Sequence, residues 1–173
     1  MAFDPRFQGI PRPVSVGFMA LTAAAAMLFN LLPWSDVVGL PDLLALVIAF
    51  WCVHEPRKMG IGFAWTLGLL MDAGNGALMG QHAFAYAILA FGAIALHRRI
   101  LWFPPWQQAA HVLVLLLASQ LLMLLVRMAA GGAYPGALYF AGSVVAAALW
   151  PLADYVLLLP QRRRRDSGET RSI

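Results

Sequence analysis

The sequence predicts an all-α polytopic membrane protein with six transmembrane helices. Three observations predict it. Hydrophobic residues make up 61% of the chain and charged residues only 12%, whereas roughly a quarter of the residues in a soluble domain are charged. The charges are clumped, so long uncharged stretches alternate with short basic clusters, as expected of helices that satisfy their own backbone in lipid. No segment shows the period-two alternation of a transmembrane barrel strand. The expected organisation is a single membrane domain over residues 1–160, followed by a flexible basic cytoplasmic tail over 161–173.

Residues 1–13 are polar and broken by proline, with Arg6 and Arg12. The apolar run Val14 to Pro33 is too long for a signal-peptide core and lacks a cleavage region, so it reads as an uncleaved first span. Trp34-Ser35-Asp36 forms a short loop. Pro41-Asp42 opens the second span, which runs to Val53; proline suits a first helical turn, where its missing N–H costs nothing. His54 to Lys58 is the next loop. The third span runs from Met59 to Met71, a polar bend takes 72–82, and the fourth span runs from Ala83 to Leu96. His97-Arg98-Arg99 and LWFPPW form a basic, aromatic loop. The fifth span covers about Gln107 to Met128, and Gly131 to Gly136 is a turn. The sixth runs from about Ala137 to Leu159, with a kink at Trp150-Pro151.

Charge sets the orientation. With six spans and the amino terminus inside, Arg127 is the one outer basic residue of the twelve in the chain, which leaves eleven inside. Five spans would carry the Arg162–Arg165 cluster outside, so the positive-inside rule favours six, with both termini cytoplasmic. Trp34, Trp51, Trp102 and Trp106 are expected at the interfaces, and Trp65 and Trp150 in packing. The lone Cys52 reads as a small buried hydrophobe.

The stretch Met59 to Arg99 is read as the centre of the protein. Gly60, Ala64 and Gly68 recur at spacing four, and Gly76 and Gly80 follow, making small-residue stripes on which helices approach closely. Asp72 stands in an apolar setting where a charge needs a reason. By helix rise, Asp72 lies ~21 Å beyond Lys58, and Asp42 ~18 Å from Val53, so the two carboxylates share a depth on antiparallel helices. Arg127 ends the fifth span on that side, which allows an Asp42, Asp72 and Arg127 cluster. Both aspartates also read as helix caps. On the inner side Asp154 is matched in depth by His111, and Arg98 and Arg99 are further polar residues there. It pairs with His111 or Arg98, or else reaches toward Arg162.

Reaction chemistry has no foothold. There is no phosphate-cradling loop, nucleophile elbow or zinc-binding helix motif. The four histidines lack metal-ligand spacing, and Ser143 reads as a small packing residue. No cofactor or metal is expected. Nucleic acid is a poor partner, since the basic residues sit in short loops and the tail.

The patterns PDLLALV, GIGFAWTLGLLMDAGNGALMGQHAFAYAIL and HRRILWFPPWQQ together resemble the MreD family of bacterial rod-shape-determining inner-membrane proteins. The specific part is G-L-L-M-D followed by G-x-x-x-G-Q-H-A-x-A-Y. Pro41, Gly68, Asp72, Gly80 and Tyr86 are the positions that carry over. The resemblance implies six helices and a fold similar to the substrate-binding subunits of energy-coupling-factor transporters. It also implies binding to the bitopic scaffold MreC, within an elongation complex containing MreB, RodA and a penicillin-binding transpeptidase. Asp42, Gln81, His82 and Arg127 join the candidate partner-binding set on the outer side. The alternative reading is a small-solute, vitamin-like binding subunit of a transporter, with Asn30, Asp42, Asp72, Asn75, Gln81 and His82 facing the outer side.

Overall fold

The computed structural model describes residues 14–33 and 39–169, from residue 160 onward as backbone only. Trp34 and the loop around it, Arg6, Arg12 and Arg171 lie outside the described residues. All regular structure among these residues is helical: α1 (Val16–Asn30), α2 (Leu43–His54), α3 (Ile61–Asn75), α4 (Gln81–Leu101), α5 (Pro105–Ala129), a 3-10 turn (Ala137–Phe140) leading into α6 (Ala141–Ala148), and α7 (Trp150–Glu169).

The helices start and stop where local chemistry requires it. The Ser15 hydroxyl accepts from the Phe18 amide and opens α1. Asp42 does the same for α2, accepting from the Ala45 amide at 2.9 Å. α3 ends at Gly76, whose left-handed φ of 61° no side-chain-bearing residue adopts cheaply. Pro105 occupies the first turn of α5, where its fixed φ fits. Leu149 separates α6 from α7, and the two helices meet at a 43° bend, so the kink expected at Trp150-Pro151 forms.

The buried centre is α2, not the 59–99 hairpin. From Leu44 to Val53 every α2 residue except Val47 is buried, and a helix that is apolar all round belongs in a core. α1 and α4 pack on α2, and α4 also packs on α3 and α5. The hairpin does form, with α3 against α4 as the most extensive helix pair. α5 carries α6 and α7 on its other side. Two helices, Gln81–Leu101 and Pro105–Ala129, are long and apolar enough to cross a membrane, and the bent pair Ala137–Ala148 with Trp150–Leu159 makes a third. α1 and α2 are apolar but shorter. Only about a third of the apolar 18-residue stretch of each long helix is buried, 33% in α4 and 28% in α5, which leaves wide apolar faces on the outside.

The tryptophans divide differently from the expectation. Trp51 is fully buried, and its indole donates to Thr22 Oγ1 at 2.9 Å; it ties α1 to α2 and does not anchor an interface. Trp65 is 48% exposed and does not pack in the core. Trp150 is buried as expected, its indole donating to Gln108 Oε1 at 3.0 Å, which satisfies the one polar atom such a ring brings inside. Trp102 and Trp106 are exposed, and Cys52 is buried.

The small residues do three different jobs. A methyl group on Gly68 would stand 2.5 Å from the Ala83 amide nitrogen and closer still to its Cα, so this glycine is a true close approach of α3 to α4. Ala64 is buried on the same face. Gly60 differs from the expectation: it lies at the cap of α3 with open space around it. Gly76 and Gly80 also have room for a methyl group. They are required by backbone conformation, with φ of 61° and 100°, and not by packing.

Gly68→Ala is therefore expected to destabilise the protein by ~1–3 kcal/mol through overpacking, and Gly60→Ala to be nearly neutral. Thermal unfolding in detergent checks the pair. Equal melting shifts would mean that α3 and α4 can separate at Gly68 without cost.

Candidate functional site

The polar residues gather at the end of the bundle where α1, α3 and α5 finish and α2, α4 and α6 begin. Asp72, in the last turn of α3, is 1% exposed. Its Oδ2 accepts from the amides of Gly80 at 2.8 Å and Ala83 at 3.3 Å. Its Oδ1 accepts from the His82 amide at 2.9 Å and meets His82 Nδ1 at 2.8 Å. The first turn of any helix has amides without helical partners and a positive dipole end. Asp72 supplies the missing acceptor to α4 from across the turn, so the cap reading of this residue forms, but on the next helix.

Asp42 makes the second node. Besides capping α2 it accepts from Asn30 Nδ2 at 2.7 Å and from the Tyr86 hydroxyl at 2.8 Å. Asn30 in turn accepts from the Leu43 amide at 3.2 Å. One carboxylate thus joins α1, α2 and α4. Tyr86 and His82 lie four residues apart on α4, with ring centroids 5.8 Å apart, so α4 links the two aspartates through adjacent side chains.

Beside these groups opens a cleft of about 540 Å³, lined among others by Asn30, Pro41, Asp42, His82, Gln120, Arg127 and Tyr139. A second cleft of about 420 Å³ adjoins it, lined by Leu78, Gln81, His82, Arg127 and Tyr139. Gln120, which no motif singled out, donates to the Tyr139 carbonyl and accepts from the Ser143 hydroxyl, and so fixes α5 to α6. Its signal in the sequence was that of a lone amide in an apolar span. Ser143 packs in the core as expected but also carries this bond.

The expected cluster forms only in part. Asp42, Asp72 and Arg127 do converge on one end, but Arg127 makes no ion pair with either carboxylate, because both are already saturated by amides, Asn30, Tyr86 and His82. At the other end Asp154 pairs with His54 Nε2 at 3.3 Å. His54 also stacks on Phe50. His111 bonds the Gln107 carbonyl and stacks on Phe103 instead, Arg98 and Arg99 are exposed, and the Arg162 side chain lies outside the described residues. Lys58 bridges Glu55 and the Val14 carbonyl, which closes that end between α1 and α2. No group of three or more metal-ligating side chains occurs among the described residues.

The fold and site together define an all-helical membrane protein whose buried polar groups bond to one another around an open cleft. Residues 11–159 match the family of rod shape-determining protein MreD. The chain is 30% identical over 148 residues to "Rod shape-determining protein MreD" of Haemophilus influenzae (strain ATCC 51907 / DSM 11121 / KW20 / Rd), a match covering 81% of this chain and 86% of that protein. The chain belongs to the MreD family of rod shape-determining proteins. No solved structure matches it.

Asp72→Asn removes acceptor capacity from three amides and a histidine. It is expected to cost ~1.5–3 kcal/mol, the range for hydrogen bonds to charged groups. Because Arg127 is not its partner, adding Arg127→Gln is expected to change stability additively, within ~0.5 kcal/mol. A double-mutant cycle on unfolding in detergent checks this, and rescue of Asp72→Asn by Arg127→Gln would establish the ion pair instead.

Proposed function

We propose that this protein is a non-enzymatic membrane scaffold of the bacterial cell-elongation machinery. It binds MreC directly and so helps position peptidoglycan synthesis by RodA and its penicillin-binding transpeptidase alongside MreB. Family membership supports the shape-determining role. The observation that carries the docking part is the 540 Å³ cleft at one end of the bundle. Its walls are held by hydrogen bonds of Asp42 with Asn30 and Tyr86 and of His82 with Asp72, so a partner meets a formed surface and little ordering entropy is lost on binding. Docking through the Ala64–Gly68 stripe is a weaker reading, because α4 already covers it.

The same proposal includes six spans, with both termini in the cytoplasm of an inner-membrane protein. The eleven-to-one distribution of basic residues supports it, and so does the gathering of alternate helix ends at the cleft. The likeness to substrate-binding subunits of energy-coupling-factor transporters rests on the family resemblance. The cleft favours a second reading, since its volume falls within the ~300–1,000 Å³ of small-molecule sites. A small vitamin-like solute would occupy it.

Cysteines at Pro41 and Ser119, in a Cys52→Ala background, are expected to crosslink to cysteines in or next to the MreC membrane segment. Cysteine at Phe91, on the lipid-exposed middle of α4, is expected not to. Loss of the protein is expected to give round cells with the elongation synthase mislocalised. Normal shape after deletion, together with a solute that co-purifies, would favour the transporter reading. For topology, reporter fusions at Ser167 are expected to report cytoplasm and at Gly132 periplasm; a fusion at Ser167 active only in the periplasm overturns six spans.

A further inference from the structure

We infer that the smaller cleft, beside the α3–α4 turn, is a binding site for the phosphate group of a membrane lipid. Its polar lining consists of Arg127, His82, Gln81 and Tyr139, and no carboxylate lines it among the described residues. Among the described residues no side chain forms an ion pair or hydrogen bond with the Arg127 guanidinium. The Gln81 side chain likewise has no partner among the described residues, while His82 Nδ1 is spent on Asp72. The cleft thus collects donors, on Arg127 and Gln81, that meet no acceptor among the described residues. A guanidinium with further donors beside it is the arrangement that recognises phosphate oxygens.

The amides of the first α4 turn are not part of this site. Those of Gly80, His82 and Ala83 are taken by Asp72, and that of Gln81 by the Leu78 carbonyl. Recognition must come from the side chains.

Two further observations identify the phosphate as that of a lipid. The cleft lies where both long apolar helices end: Gln81 and His82 in the first turn of α4, Arg127 in the last turn of α5. Headgroups meet a spanning helix at that level. Next to the donors, Leu78 and Met79 are 49% and 71% exposed in the turn, an apolar ledge of the kind an acyl chain covers and water does not favour.

Native mass spectrometry of the full-length protein in mild detergent tests the site, with phosphatidylglycerol or glycerol 3-phosphate added. One phosphatidylglycerol per protein is expected, retained about tenfold less by Arg127→Gln, as loss of a charge-assisted contact implies. A smaller loss is expected for Gln81→Ala. Arg98→Gln with Arg99→Gln, at the other end, is expected to bind as the parent does. Unchanged melting of the variants keeps folding out of the reading. Equal retention by Arg127→Gln overturns the site. Binding of glycerol 3-phosphate as tight as that of the lipid overturns the lipid assignment. Neither readout involves a protein partner, so it stands or falls apart from the scaffold proposal.

Discussion

The carboxylate of Asp72 is the point on which this end of the bundle depends. It is buried at 1% exposure and receives bonds from Gly80, Ala83 and both the amide and ring of His82. An uncompensated charge in such a place would be expensive, and so would the bare amides of α4's first turn. Each cost cancels the other. The acid is tolerable because four donors surround it, and the helix can begin inside an apolar bundle because an acid from the preceding helix closes it.

That cap is inseparable from the packing beneath it. Asp72 follows Gly68 by one helical turn, and Gly68 is where the backbone of α3 nearly touches Ala83. The close approach carries Asp72 to the Ala83 amide. A larger residue at position 68 would push α4 away and lengthen the bonds to Gly80, His82 and Ala83 together. The left-handed residues Gly76 and Gly80 complete the same device, because they let the chain reverse in a turn short enough for Asp72 to reach across it. Asp42 repeats the logic one turn further along the same face of α4, where Tyr86 brings the hydroxyl that its second oxygen needs.

Much of this was legible in the residues, and the misses share a cause. The Gly68–Asp72–Gly80 spacing, the aspartate out of place in an apolar field, the turn and the proline kink are all local signals, and each marks a real feature. Partner choice is not local. Asp72 and Arg127 have matching depths, but depth says nothing of rotation about the helix axis, and four nearer donors had already taken the acid. Asp154 went to His54 for the same reason: α7 meets the end of α2, a contact no periodicity announces. Trp51 and Trp65 exchanged roles because α2 lies in the centre, so a tryptophan near its end is still inside, while α3 lies at the edge. The short length of α2 hid this. Its apolar surface on every side was the available sign.

The arrangement also explains why the cleft stays polar without being self-cancelling. Asp42 in the wall of the larger cleft, and Asp72 behind His82, would dominate the chemistry of this end if they were free, and it would attract cations. Both are spent on amides, Asn30, Tyr86 and His82, so their charge is largely answered within the walls. What remains to face an incoming group is mainly donors, from Arg127 and Tyr139 in both clefts and from Gln81 in the smaller one. The buried acids therefore set the shape of the site and not its preference. Removing either acid would loosen the helix ends first, and alter the selectivity of the cleft only through that loosening.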